Sequence, residues 1–213
     1  DWTGRETPEP IALLDGLRRV AYRITVYCQT GRIAPPTSHH VLYGLLESVV
    51  VQVKAPQKNG VFHPKLWALR YVNERDGAVL IRVLVLSRNL TVDDSWDVVL
   101  SVEGAPGDAQ VAENAPLAGL LRALPTSKLA LQPVFGTARA RANLLADEIS
   151  RCRWTLPRGF NTLVFRCLGL SEAGWLPPRS SRLAVITPFC GTQAISEVVK
   201  RTGQAVALVS RPE

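Results

Sequence analysis

The chain has 213 residues, of which 46% are hydrophobic and 20% are charged, so it can bury a core and is not an intrinsically disordered polypeptide. Its formal net charge of +7 is a modest positive excess, which is compatible with nucleic acid as a partner. No apolar run approaches the roughly 20 residues of a membrane span, and the polar start DWTGRETPEP is unlike a secretory signal.

The first part of the chain alternates helical and strand-like patterns. Apolar residues one turn apart predict helices, and runs of β-branched and aromatic residues predict strands. A short helix capped by Ser38 is predicted between the first two strands. Asp76-Gly77 is a strong turn signal between the last two strands, so these two strands are expected to form an antiparallel hairpin. The predicted elements are a helix over 8–20 and strands over 22–29, 48–56, 62–72 and 78–87.

The middle of the chain is richer in Gly, Ala and Pro than the parts that flank it. Residues 104–136 therefore predict a linker that contains one short helix over 117–124. A longer helix near 138–153 is expected to join this linker to the last part of the chain. We therefore expect one unit over 1–136 and a second over 137–213.

Two stretches of the chain share the order strand, small-residue loop, helix, strand. One runs from Arg23 to Pro56, and the other runs from Arg182 to Glu213. The shared order predicts an internal duplication whose second copy stops after its second strand. The alternative is that any α/β protein repeats strand, helix and strand.

The predicted hairpin brings polar residues together at one end. If the hairpin is centred on its turn, His63 lies opposite Ser87 and Lys65 lies opposite Val85, within a slip of one or two residues. Side chains alternate along a strand, so His63 and Lys65 share one face, and Ser87 and Asn89 share one face of the other strand. The hairpin therefore predicts that four polar side chains converge at the end of two apolar strands.

These four side chains suit phosphoryl transfer. A neutral His63 imidazole is a nucleophile toward phosphorus and a proton carrier near neutral pH. Lys65 offers a fixed positive charge to the non-bridging phosphate oxygens, and Ser87 and Asn89 offer hydrogen bonds to them. No cluster of carboxylates accompanies the four residues, so we expect neither a metal nor a cofactor.

The phrases FHPKLW and LSRNLT together resemble the phospholipase D superfamily, whose motif is His-x-Lys followed downstream by Ser-x-Asn. The resemblance covers residues 20–103 directly, and the whole chain if the duplication is real. Arg70 stands where a phospholipase has an Asp, and Leu86 stands where Gly is common before the Ser. Tyrosyl-DNA phosphodiesterases and many bacterial nuclease-like members also lack the Asp. The phrase SRNLTVDDSWD is most similar to the nuclease-type members found in bacterial restriction and anti-phage systems.

The resemblance implies an α/β fold with a phospholipase D-like mixed sheet flanked by helices, built as one complete repeat and the start of a second. It also implies a metal-independent phosphodiesterase, a nuclease acting on DNA, in which one His is the nucleophile and another is the general acid. The chain contains a single His-x-Lys. The second half-site is therefore expected from a longer chain beyond Glu213 or from a homodimer. Subunits of a defence complex are further candidate partners.

Two other functions stay open. The chain can be a catalytically inactive module that binds nucleic acid, or that acts as a scaffold in a larger complex, because it holds only one motif. A lipid phospholipase is a third interpretation, although no apolar interfacial helix is evident.

Three residues near the motifs are candidate substrate contacts. Arg88 lies within the second motif, and Trp96 could stack on a base. Asp97 could hydrogen-bond a group of the site, as a downstream acid does in the superfamily, or it could be a solvated surface residue. Trp67 also flanks a motif, but we expect it to pack in the core.

The four cysteines are scattered and form no Cys-x-x-Cys pair, which favours a reducing, cytoplasmic setting. The sequence lacks an initiating Met, so we expect it to be a piece of a longer or processed protein. We expect no association with a membrane.

Overall fold

The chain divides into two compact units, Asp1–Leu170 and Ser171–Glu213, in a computed structural model. None of the helices in its described part combines the length and the apolarity that a bilayer span requires. The structure describes residues 10–32, 49–58, 60–88, 97–126, 128–134, 136–170, 176–187 and 191–210.

The described residues combine helices and strands, as in the general α/β class. The second unit contains β7 (Ser180–Ile186), α4 (Thr192–Val199) and β8 (Thr202–Val209). The first unit contains α1 (Pro10–Ala21), β1 (Val26–Gln29), β2 (Val50–Val53), β3 (Leu66–Val72), β4 (Val79–Leu86), β5 (Val99–Pro106), a 3₁₀ turn (Ala112–Asn114), α2 (Ala115–Ala123), α3 (Gly136–Ser150) and β6 (Cys152–Thr155).

Each of the two stretches that share a sequence pattern forms a pair of parallel strands. Val26 on β1 lies opposite Val50 on β2, and Ser180 on β7 lies opposite Thr202 on β8. In the second unit, α4 connects the two strands as predicted. The corresponding helix of the first unit, capped by Ser38, lies outside the described residues. The parallel pairing expected for both copies is therefore confirmed, while the superposition of the copies stays a prediction.

The hairpin predicted at Asp76-Gly77 is also confirmed. β3 and β4 pair antiparallel, and β5 and β6 extend them into a four-stranded antiparallel sheet in the order β3-β4-β5-β6. The turn closes where the Asn73 N–H donates to the Ala78 carbonyl at 2.9 Å. Gly77 takes a φ of +72°, a left-handed conformation that a residue with a Cβ rarely adopts.

The register of this hairpin differs by one residue from the predicted register. Leu66, not Lys65, lies opposite Val85. The Lys65 carbonyl instead accepts a hydrogen bond from the Leu86 N–H at 2.9 Å. The reason is that the turn closes between Asn73 and Ala78, so the hairpin is centred between Arg75 and Asp76 and not on Arg75.

The core lies on one face of the four-stranded sheet. Alternate strand residues such as Ile81, Val83 and Val102 are buried there against side chains of α2 and α3. Leu117 on α2 and Ile149 on α3 are among the largest of these fully buried side chains. Every second residue of the strands thus packs against the apolar faces of the two helices.

The expectation of a linker over 104–136 is wrong, although the short helix predicted within it over 117–124 is confirmed as α2. β5 runs on to Pro106, and α2 buries Leu117 and Leu121 in the core. Gly104 made this stretch look like a loop, but it sits inside a strand because of a close approach. A Cβ at Gly104 would lie 2.5 Å from the carbonyl oxygen of Arg153 on β6.

The division between the units follows Leu170, so it lies further along the chain than the expected boundary after residue 136. α3 packs against α2, and β6 pairs with β5, so both elements belong to the first unit. The helix predicted near 138–153 ends at Ser150, and Cys152 begins a strand that the sequence pattern did not predict. The buried hydrophobic side chains of the described residues all lie between Val49 and Phe165.

Candidate functional site

His63 and Lys65 lie on the segment that leads into β3. The preceding residue, Phe62, packs against the core, and its N–H donates to Gln29 Oε1 at 3.0 Å. Gln29 is the last residue of β1, so the carboxyl end of a parallel strand holds this segment in place. Ligand sites of α/β proteins commonly lie outside the carboxyl ends of parallel strands. The position of His63 is therefore typical of a binding site.

An exposed imidazole and an ammonium group lie side by side at this position. Lys65 Nζ lies 3.1 Å from Nε2 and 3.3 Å from Nδ1 of His63. His63 is exposed and Lys65 is half-buried. One ring nitrogen of a neutral imidazole carries a lone pair to which the ammonium can donate. The two side chains thus present a nucleophile and a cation together to an anionic group.

Ser87 and Asp97 form a second contact, which we call the β4–β5 clasp. The Ser87 hydroxyl donates to Asp97 Oδ1 and accepts a hydrogen bond from the Val98 N–H at 3.0 Å. The Ser87 N–H also donates to the Val98 carbonyl at 2.9 Å, so the clasp extends the β4–β5 ladder by one step. A serine has one hydroxyl proton. In this arrangement Ser87 therefore offers a lone pair, and no donor, to a further group.

The clasp changes the acidity of its carboxyl group. The hydrogen bond from Ser87 lowers the pKa of Asp97 below its ordinary value; desolvation opposes this shift, while the Val98 N–H and the charge of Arg88 support it. Asp97 is therefore an acceptor-only carboxylate at neutral pH. It contacts a residue of the predicted quartet, as the sequence led us to expect.

The observed register separates the His63–Lys65 pair from the β4–β5 clasp. Opposed residues of an antiparallel ladder share a face, so Lys65 shares its face with Leu86, and the strand alternation turns Ser87 to the other side. Within the part of the chain that the structure describes, no hydrogen bond joins the His63–Lys65 pair to the clasp. The predicted pairing of His63 directly with Ser87 is thus displaced by one residue.

Two of the predicted site residues, Asn89 and Trp96, lie outside the described residues. Arg88 is described and half-buried, and its charge acts on Asp97. Of the residues between Ser87 and Asp97, Arg88 is therefore the one that the structure describes.

Arg70, which stands where a phospholipase has an Asp, binds a helix of the same unit. Its Nε and Nη2 donate to Glu148 Oε2 and Oε1 at 2.7 and 2.8 Å. The Glu148 side chain is 8% exposed and the Arg70 side chain is 32% exposed. These hydrogen bonds also raise the pKa of Arg70 above its ordinary value. Arg70 thus ties β3 to α3 and faces away from the His63–Lys65 side of the strand.

Trp67 does not pack in the core, and that expectation is wrong. It is 45% exposed, because it alternates with Leu66 and Ala68, which are the β3 residues that face the core. The sequence also did not indicate Gln29, since its contact with Phe62 joins residues that are 33 positions apart. No local pattern marks a hydrogen bond of that range.

The described residues contain no group of three or more His, Cys, Asp or Glu side chains placed to hold a metal ion. No protein-family model matches the chain, and neither a curated protein nor a solved structure gives a match. The chemistry of the site residues and the motif resemblance are therefore what bears on function.

Proposed function

We propose that this chain supplies one half of the active site of a metal-independent phosphodiesterase, a nuclease of the phospholipase D type that acts on DNA. The observation that carries the proposal is the contact of 3.1 Å between Lys65 Nζ and the ring of an exposed His63. An imidazole that can attack phosphorus and a cation that can neutralise its oxygens are the two groups that phosphoryl transfer most needs from a protein. The proposal includes a phospholipase D-like fold, with a mixed sheet flanked by helices in one complete repeat and the start of a second repeat.

The proposed reaction has two steps. A ring nitrogen of His63 bonds to phosphorus while the bond from phosphorus to the leaving oxygen breaks. The leaving oxygen takes its proton from an acid of a second half-site, supplied by a longer chain or by a second copy. Water then displaces the imidazole with loss of a proton to the same group, which restores His63. Lys65 stabilises the charge on the non-bridging oxygens in both steps.

A non-catalytic module that binds nucleic acid or assembles a larger complex is the second candidate. It is favoured by the clasp, because the one donor of Ser87 is engaged by Asp97 and not directed at a ligand. The restriction or anti-phage setting rests on the phrase SRNLTVDDSWD alone.

Cleavage of labelled DNA by the full-length protein in the presence of EDTA tests the proposal. His63→Ala should abolish cleavage, and Lys65→Ala should lower kcat by about 10²–10³-fold, as the loss of one transition-state donor typically does. Binding should survive His63→Ala, since phosphate contacts spread over many cations dominate affinity. An acid quench during turnover should trap phosphohistidine if His63 is the nucleophile.

The exposed lysine Lys58 offers a matched control, and Lys58→Ala should cleave DNA as the unaltered protein does. Cleavage that survives His63→Ala would overturn the catalytic proposal. Cleavage that EDTA stops and magnesium restores would indicate a different active site. Binding without cleavage, in the presence of both half-sites, would favour the non-catalytic module.

A further inference from the structure

The four-stranded sheet has an exposed face opposite the core, which we call the aromatic face. Opposed residues of an antiparallel sheet share a face, and Trp67 lies opposite Leu84, Tyr71 opposite Leu80 and Arg82 opposite Glu103. The aromatic face is defined by Trp67, Tyr71, Leu80, Arg82, Glu103 and Arg153.

The exposure of this face is unusual for residues of these types. Trp67 is 45% exposed and Tyr71 is 44% exposed, although each carries a large aromatic ring and lies within β3. The core side chains Ile81 and Val83 lie on the other face of the sheet, against α2 and α3. A contiguous exposed surface of this kind on a folded unit commonly marks an interaction site.

The charges on the aromatic face are mainly positive. Arg82 donates to Glu103 Oε1 at 2.6 Å, and its guanidinium carbon lies 5.5 Å from the centre of the Tyr71 ring. Arg153 on β6 lies opposite Ala105, two residues beyond Glu103, so it is on the same face and is exposed. Lys65 continues this face at the start of β3. Three cations and one carboxylate therefore surround two exposed rings.

Aromatic rings beside cations on an exposed sheet match the chemistry of unpaired bases. A base can stack on an aromatic side chain while its phosphate binds a nearby Arg or Lys, and this mode is common on sheets that bind single strands. A purely apolar protein partner would cover Arg153 and Lys65 without offering them a counter-charge. The mixture of rings and positive charge therefore favours a single-stranded nucleic acid over a protein.

The spacing along β3 connects this face to the site. Side chains on one face of a strand repeat about every 6.8 Å, so Trp67 lies one step from Lys65 and Tyr71 lies three steps away. A chain with a phosphate at Lys65 would have its next bases over these two rings. The face thus leads directly to His63.

We propose that the aromatic face binds single-stranded nucleic acid, with bases stacked on Trp67 and Tyr71 and the backbone directed to the His63–Lys65 pair. The inference rests on the proposed function for its direction toward His63, but the binding itself does not require cleavage. Duplex DNA should bind more weakly here, because its bases are stacked on each other and cannot reach the rings.

The test measures the binding of a labelled 12-nucleotide oligothymidine and of a hairpin duplex by fluorescence anisotropy. The full chain carries His63→Ala so that the probe stays intact. Adding Trp67→Ala should weaken oligothymidine binding at least about fivefold, the low end of what one stacked base contributes, and should change duplex binding less. Trp67→Phe should retain most of the affinity, because it keeps a ring. Phe160→Ala removes an aromatic side chain that is 66% exposed and lies outside the sheet, and it should have no effect.

The outcomes separate this inference from the proposed function. Equal oligothymidine binding by the Trp67→Ala and unaltered proteins would overturn the aromatic-face proposal, as would a dimer that Trp67→Ala dissociates without changing oligothymidine affinity. Hydrolysis of bis(4-nitrophenyl) phosphate by chains with native His63 reports on catalysis alone, because this diester is too small to need the face. Trp67-dependent binding without any hydrolysis would support the aromatic-face proposal and count against the nuclease. Hydrolysis without Trp67-dependent binding would support the nuclease and count against the aromatic-face proposal.

Discussion

At the scale of single residues, the site consists of two contacts with different chemistry. His63 and Lys65 form a pair in which the imidazole is exposed and the lysine is half-buried. Ser87 and Asp97 form a clasp whose hydrogen bonds are directed at each other and at the backbone of Val98. The hydrogen bonds of Ser87 therefore stabilise the end of the β4–β5 ladder.

The clasp predicts a measurable acidity. Because Ser87 and the Val98 N–H bind the charged form, the folded-state pKa of Asp97 should lie below its ordinary value of 3.8. Ser87→Ala should move the pKa of Asp97 back up toward that value. NMR titration of the Asp97 carboxyl carbon measures both values.

The same shift fixes how stability depends on pH. A depressed pKa contributes stability that is fully present above the unfolded-state pKa and is lost as pH falls through the lower folded-state pKa. Asp97→Asn should therefore lower the urea midpoint at pH 7, and the difference should shrink below about pH 4. Ser101→Ala, an exposed serine on β5, is the matched control and should leave the pKa of Asp97 unchanged. An Asp97 that titrates at or above 3.8 would contradict the clasp.

At the scale of secondary structure, one ion pair connects the sheet to the helical layer. Arg70 on β3 and Glu148 on α3 make two parallel hydrogen bonds, and the carboxylate is 8% exposed. Such a bidentate pair is geometrically specific and stronger than a neutral hydrogen bond. The pair holds β3, which begins directly after Lys65, in a defined position against α3.

Removing one partner of this pair should be costly. Arg70→Ala leaves the Glu148 carboxylate buried without its partner, so the free energy of unfolding should fall by about 3 kcal/mol, at the low end for breaking a buried pair. Replacing both residues, as Arg70→Met with Glu148→Leu, should recover much of the loss because no buried charge remains. Urea denaturation measures these differences.

A surface pair of an arginine and a carboxylate provides the comparison. Arg19 and Asp15 on α1 lie 2.8 Å apart with both side chains more than half exposed. Arg19→Ala should cost only about 0.3–0.5 kcal/mol, as exposed helix pairs do. A loss below about 1 kcal/mol for Arg70→Ala would show that the buried pair contributes no more than a surface pair does.

At the scale of the whole molecule, the two units differ in how they are stabilised. Every buried hydrophobic side chain of the described residues lies in the first unit, between Val49 and Phe165. In the second unit, α4 buries none of its side chains, and β7 and β8 form a sheet of two strands. A sheet of two strands with one helix is marginal without further partners.

Truncation should reveal this difference. A chain that ends at Leu170 should keep the core and unfold cooperatively on heating, with a midpoint close to that of the full chain. A fragment over 171–213 should show little stable structure, since none of its described hydrophobic side chains is buried. Circular dichroism melts of the two fragments measure this, and loss of cooperative unfolding in the longer fragment would show that the first unit depends on the second.

The sequence by itself determined the β3–β4 hairpin and the two pairs of parallel strands. Asp76-Gly77 predicted the hairpin because a left-handed glycine can form only a small set of tight turns. The repeated strand and helix patterns predicted both parallel pairs. The alternation along 62–72 predicted that His63 and Lys65 lie side by side, and their side chains are in contact although β3 itself begins at Leu66. These features follow from interactions between neighbouring residues in the chain.

Tertiary structure alone decided the register of the β3–β4 hairpin, the structural role of residues 104–136 and the exposure of Trp67. The one-residue shift depends on which backbone groups close the turn, and both candidate registers bury an apolar strand. Gly104 reads as a loop residue unless the backbone of β6 lies against it. Trp67 reads as a core residue unless α2 and α3 are known to pack on the other face. In each case the deciding contact joins residues far apart in the chain, and no local preference records which partner will be there.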